Sequence, residues 1–211
     1  MVSHLARGEV VRGAVLRVAV VVTAAAGALT TLALQSAPAG AAGPGCQAGD
    51  IEVATNADAG AGSLRAAFAT ATAAAGPSRI CVNSVVVGPI VLTTGEVLYD
   101  SGTTPGLTVE GNGITVSGNN ASRVINNNTS GSLTLDHVTI TGGNTASAGG
   151  GVLSGGATNI TNSTIAGNTA STAGGVSLGT SLSLLTVTSS AISDNTSTTG
   201  VGGGIASVWS P

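Results

Sequence analysis

The chain has 211 residues, 33 of them glycine, and only 7% are charged. It contains no lysine, and beyond residue 41 three arginines (Arg65, Arg79, Arg123) face eight acidic residues, a net charge of −5. Such a surface cannot neutralise a phosphate backbone, which excludes a nucleic-acid partner. With one Trp, one Tyr and one Phe, the aromatic platforms that stack on bases or sugars are missing as well.

In chain order, residues 1–41 read as a signal peptide. Arg7, Arg12 and Arg17 form a basic start, Val18 to Leu34 is an uncharged apolar run, and Ala39-Gly40-Ala41 offers small residues for cleavage. The expected destination is outside the cell or at its surface, with no membrane segment left after cleavage. Cys46 and Cys81 are the two cysteines, and an oxidising destination favours a bridge between them. The alternative is a pair of free buried thiols. Residues 42–78 then form an N-terminal segment. Within it, 63–75 is expected to be helical: Ser63 is a good N-cap, Gly76-Pro77 is a stop, and Leu64, Ala67, Phe68, Ala71 and Ala75 share one face.

Residues 79–211 repeat. The apolar pairs Val109/Ile114, Leu135/Ile140, Ile160/Ile165 and Val187/Ile192 recur every 25 to 27 residues, with a looser copy at Val85/Ile90. A third apolar position follows each full pair, at Ile125, Val152, Val176 and Ile205. The last three are preceded by Gly-Gly; the first is preceded by Arg123-Val124. Alternation around Thr108, Thr115 and Thr134 has the period of a strand buried on one face. Three strands per unit of this length lead to a coil in which each strand pairs in parallel with its copy one turn later. The expected fold is all-β: a parallel β-helix (solenoid) of about five coils, with a short N-terminal capping α-helix over its first turn. Asn119, Asn144, Asn168 and Asn195 fall at one corner and are expected to stack as an amide ladder. At the other end the chain runs out at "SVWSP", where Trp209 could plug the coil; a C-terminally truncated product or pairing with another chain are the alternatives.

The stretch "DAGAGSLRAAFATATA" (58–73) resembles the opening segment of exported bacterial β-helix proteins of the CSLREA type. Gly62 stands in place of that pattern's Cys and Ala66 in place of its Glu, while Ser63, Leu64, Arg65 and Ala67 match. The units "IAGN", "ISDN", "AGGV" and "GGGI" resemble repeats of right-handed parallel β-helices, including polymorphic outer-membrane proteins and pectate-lyase-like folds. The resemblance implies a right-handed coil and an exported bacterial protein. It leaves activity open, because such folds carry both enzymes and adhesins.

The alignment produces one ionisable cluster. Glu110 and Asp136 share an outward column on adjacent turns, with His137 beside them. Thr161 and Thr188 continue that column and are poor Ca²⁺ ligands, and Arg123 belongs to another corner. No Cys/His metal spacing, phosphate loop or cofactor motif is present. These features favour a non-catalytic surface, adhesion or polysaccharide-contacting module, whose partner would be a polysaccharide or cell-surface glycan. The alternatives are a Ca²⁺-dependent polysaccharide lyase or hydrolase using Glu110 and Asp136, and a fragment of a longer adhesin. Ice binding ranks last, because the outward threonines look irregular.

Overall fold

The computed structural model describes residues 45–102, 105–179 and 183–207. The segment 1–41 expected to be a signal peptide, and Trp209, lie outside them. Among the described residues the chain opens with β1 (Ile51–Val53), α1 (Leu64–Ala73), β2 (Ser78–Val82), β3 (Ile90–Val91) and β4 (Val97–Tyr99). The next turn is β5 (Leu107–Glu110), β6 (Thr115–Ser117) and β7 (Ile125–Asn127). Three four-stranded turns follow. The first is β8 (Leu133–Asp136), β9 (Thr139–Thr141), β10 (Asn144–Ala148) and β11 (Val152–Ser154). The second is β12 (Thr158–Thr161), β13 (Thr164–Ala166), β14 (Thr169–Thr172) and β15 (Val176–Leu178). The third is β16 (Leu185–Thr188), β17 (Ala191–Ser193), β18 (Thr196–Val201) and β19 (Ile205–Ser207).

Each strand pairs in parallel with its counterpart one turn away, which makes a parallel β-solenoid. The first sheet runs β1-β2-β5-β8-β12-β16, the second β3-β6-β9-β13-β17, and the third β4-β7-β11-β15-β19. Six strands in the first sheet make about six turns rather than five. The additional one is β1, whose Ile51 stacks on Ile80; its own turn continues as helix, so no apolar triplet announces it.

The inner columns are Ile80-Val109-Leu135-Ile160-Val187 in the first sheet and Val97-Ile125-Val152-Val176-Ile205 in the third. Most of these side chains are fully buried, and each contributes roughly 1.5–3 kcal/mol on burial. Two members of the expected repeat are displaced. Val85 is 70% exposed, and Ile80 takes its place beneath Val109. In the second sheet Val116, not Ile114, stacks between Ile90 and Ile140. The corner before it holds the additional pair Asn112-Gly113, both at positive φ (51° and 85°), which moves the inward position two residues downstream.

A fourth sheet, β10-β14-β18, carries no apolar signature and was not expected from sequence. "NTASA", "TAST" and "TSTTGV" become strands because their main-chain groups find ladder partners: Thr169 N–H donates to Gly143 O (2.7 Å) and Thr196 N–H to Asn168 O (2.8 Å). Ala170 alone in this sheet is fully buried. Neither glycine of the Gly-Gly pairs beyond it has a positive φ. Positive φ belongs to the preceding residue, Gly149, Ala173 or Gly202. The pairs themselves are glycine because turns crowd there: a Cβ on Gly150 would meet Thr169 O at 2.5 Å, and one on Gly174 would meet Thr196 O at 2.4 Å. One turn below, Arg123 occupies this place and sends its guanidinium across the next turn, donating from Nε to Gly149 O (3.0 Å), from Nη2 to Ala148 O (2.9 Å) and from Nη1 to Glu96 Oε2 (2.7 Å).

Helix α1 covers the first turn with Leu64, Ala67, Phe68 and Ala71, all buried. Ser63 caps it, accepting from Ala66 N–H (3.2 Å). The helix stops at Ala73, two residues short of the expected end, because Ala74 is already extended (φ −75°, ψ 141°). A strut holds the helix down. Asp58 accepts from Arg65 Nη2 (2.6 Å) and from the Thr93 and Thr94 main-chain N–H groups (3.1 and 2.9 Å), and Arg65 Nη1 continues to Glu96 O (2.7 Å). The Cys46–Cys81 disulfide forms as expected, joining positions 35 residues apart in sequence. It pins the arm ahead of β1 to the outward column of β2.

Two outcomes follow from this packing. Ile160→Ala, in the middle of its column, should cost about 2–5 kcal/mol of unfolding free energy, whereas Ile205→Ala, already 44% exposed, should cost a fraction of that; urea titrations of the two variants compare them. Burial alone would raise the Asp58 pKa, but hydrogen bonds from Thr94, Arg65 and Thr93 outweigh it and hold the carboxyl well below the usual range. Its contribution to stability is therefore present above the ordinary Asp value of about 3.9 and is lost as pH falls further. Asp58→Asn should be less stable at neutral pH and should show a shallower acid limb in Tm against pH.

Candidate functional site

The parallel register of β5 and β8 sets Glu110 directly against Asp136 on the outer face of the first sheet. His137 follows in the left-handed region (φ 48°), which swings its ring back over the strand end. Its Nδ1 lies 3.0 Å from Asp136 Oδ1 and 3.6 Å from Glu110 Oε1. The three side chains singled out from sequence thus do meet. A fourth joins them: Arg79, from β2 one turn below, holds Nη2 3.7 Å from Glu110 Oε2 and pairs through Nη1 with Asp50. The column in full reads Glu52, Cys81, Glu110, Asp136, Thr161 and Thr188, so the disulfide sits immediately beneath the cluster.

Although Glu110 belongs to an outward column, it is 1% exposed. Burial pushes its pKa up, and the Asp136 carboxylate adds to the rise; the Asn112 N–H (3.0 Å to Oε1), His137 and Arg79 oppose it. Asp136 is more open and accepts from Asn162 Nδ2 (3.1 Å). A polymer chain lying on the sheet could touch Asp136 but could not reach the Glu110 carboxylate.

The asparagine corner is narrower than expected. Asn168 and Asn195 stack, with Asn168 Nδ2 donating to Asn195 Oδ1 (2.9 Å). Each also braces the turn below. Asn168 accepts from Gly143 N–H (2.8 Å) and donates to Ile140 O (3.2 Å), while Asn195 accepts from Asn168 N–H (3.0 Å) and donates to Ile165 O (2.8 Å). Gly143 holds the equivalent position below, where a Cβ would meet Gly150 O at 1.9 Å. Asn144 therefore falls one residue late and donates to Asn120 O (3.2 Å), and Asn119 sits exposed at positive φ (56°). The ladder has two rungs, not four.

Sequence reasoning missed a second brace of the same design. Ser163 Oγ accepts from Val138 N–H (3.1 Å) and donates to Thr161 O (2.7 Å); Ser190 Oγ accepts from Ser163 N–H (3.0 Å) and donates to Thr188 O (2.7 Å). A serine two residues before the second-sheet Ile, in "NSTI" and "SSAI", was the available signal, hidden among many serines.

Above Arg79, which pairs with Thr108 at the foot of the other first-sheet column, the remaining outer columns of the first two sheets are uncharged. In the first sheet they are Thr108-Thr134-Asn159-Thr186, and in the second Thr115-Thr139-Thr164-Ala191 and Ser117-Thr141-Ala166-Ser193. In register, the threonines are more regular than the linear sequence suggests. Comparison with known proteins finds no matching family model, curated protein or solved structure.

The Glu110 environment has a pH consequence. Between its ordinary value near 4.5 and its raised value, the folded chain retains a proton that the unfolded chain has lost. Stability therefore falls as pH rises through that window. Glu110→Gln should flatten this segment of the stability curve, measured by urea unfolding at successive pH values, without loss of stability at neutral pH.

Proposed function

We propose that this solenoid is an exported, non-catalytic surface module that contacts polysaccharide along the outer faces of its first and second sheets. The observation that carries the reading is the stacked register of Thr108, Thr134, Asn159 and Thr186 beside Thr115, Thr139 and Thr164. Parallel strands repeat about every 4.8 Å. The two faces therefore offer hydroxyl and amide groups at a regular interval, as a polymer of repeating sugars does. Each hydrogen bond contributes only about 0.5–1.5 kcal/mol, so affinity would come from several turns acting on one chain. Low charge suits a neutral or weakly acidic glycan, and the scarcity of aromatics puts the burden on the polar columns.

Export is supported by the Cys46–Cys81 disulfide, which persists in oxidising compartments, and by the basic-then-apolar leader. The likeness of 58–73 to the CSLREA segment supports a bacterial surface role. No helix among the described residues is long and apolar enough to cross a membrane. The buried Glu110 gives the lyase alternative less support, since its carboxylate is closed to a polymer.

The test is retention of the purified protein on immobilised cell-wall polysaccharides and a glycan array. At least one glycan should bind, and the double substitution Thr134→Val/Asn159→Ala should weaken it about tenfold or more while leaving Tm within a few degrees. Absence of retention on every glycan removes the reading.

A further inference from the structure

We propose that Glu110, Asp136 and His137 form a binding site for one divalent cation of the zinc class, held through an imidazole nitrogen and two carboxylate oxygens. The three candidate ligand atoms lie within 4.8 Å of one another. For a four-coordinate ion with ligands at about 2.0–2.2 Å, tetrahedral geometry separates neighbouring ligands by about 3.3–3.6 Å. The His137 Nδ1 separations of 3.0 Å and 3.6 Å fall around that range, so little movement would be needed.

A second observation points to a bound cation. Buried polar atoms are nearly always hydrogen-bonded. His137 Nδ1 is closed to solvent and has no hydrogen bond of acceptable geometry, although it faces two carboxylate oxygens. Asn112 Oδ1, in the turn that follows Glu110, is likewise buried and unpaired. A cation between the three side chains would take the imidazole nitrogen and the two carboxylate oxygens as one ligand set.

The surroundings fit that use. Metal-binding carboxylates are normally oriented by further hydrogen bonds. Here Glu110 Oε1 accepts from Asn112 N–H, Asp136 Oδ1 accepts from Asn162 Nδ2, and Arg79 lies nearest the other Glu110 oxygen, Oε2. The side chains of Asp136 and His137 keep 27% and 16% exposure, enough for an ion to enter and for water to complete its coordination. The donor set also selects among metals. One nitrogen and two oxygens suit zinc, cobalt or manganese, whereas Ca²⁺ requires six to eight oxygens, which Thr161 and Thr188 above cannot supply. The reading does not depend on glycan binding.

The experiment is a calorimetric titration of the metal-free protein with Zn²⁺, alongside Co²⁺ followed by its visible absorption. One equivalent should bind, with Co²⁺ bands of a four- or five-coordinate ion, and Ca²⁺ should not compete at a hundredfold excess. His137→Asn keeps a residue that tolerates the left-handed backbone, and Asp136→Asn keeps shape. Both should fold by circular dichroism and lose affinity at least a hundredfold. Asn162→Gly, which suits the left-handed backbone at that position (φ 48°), should weaken binding about tenfold while retaining the stoichiometry. Absence of a saturable site, Zn²⁺ affinity unchanged in His137→Asn, or preference for Ca²⁺ would each overturn the proposal.

Discussion

The main chain of this protein satisfies its hydrogen bonds mainly by lying on its own copy one turn away. Three- and four-residue strands are too short to be stable alone, and parallel pairing leaves no neighbour within the same turn. Position in the stack therefore governs every residue. An inward Ile counts because an Ile or Val lies above and below it; an outward Thr counts because another Thr continues its row. Register is fixed by the buried face, since a slip of one residue would turn the apolar set outward.

Corners are where this regularity is under strain, and they hold most of the specific chemistry. Asn168, Asn195, Ser163 and Ser190 each reach down one turn to close main-chain groups that the bend would leave open. Arg123 does a related job in reverse, reaching up over Ala148 and Gly149. The ionisable groups are gathered near the lidded end: Asp58 and Arg65 tie the helix down, and Asp50, Arg79, Glu110, Asp136 and His137 form a connected group beside the disulfide. The later turns are almost free of charge. One molecule thus pairs a cross-linked, charged base with a neutral, repetitive shaft.

Much of the fold was legible because burial and stacking leave a linear trace. Leu135, Ile160 and Val187 recur at turn spacing and share a column, as the sequence suggests. The helix was legible through Ser63, Phe68 and Gly76-Pro77. What escaped was whatever leaves no apolar mark. The fourth sheet is made almost wholly of Thr, Ser, Ala and Asn, its one Val (Val201) being exposed, and only its main-chain partners make it a sheet. The place of Val116 depended on two additional corner residues that simple spacing could not assign. The cluster at Glu110 was readable as a shared column, yet neither its burial nor the approach of Arg79 from the turn below could be read from spacing.

The order of residues by itself determined the period of the coil, most of its inward rows and the helical lid, and favoured the bridge between the two cysteines, because each depends on hydrophobic spacing, cap chemistry or the count of thiols. Tertiary structure alone decided which corner asparagines brace a neighbour, which polar stretches become strands, and that an acid in an outward row lies sealed beside a histidine and an arginine. These depend on what the adjacent turn places within about 3 Å, and residues some 25 positions apart become neighbours only when the chain is wound.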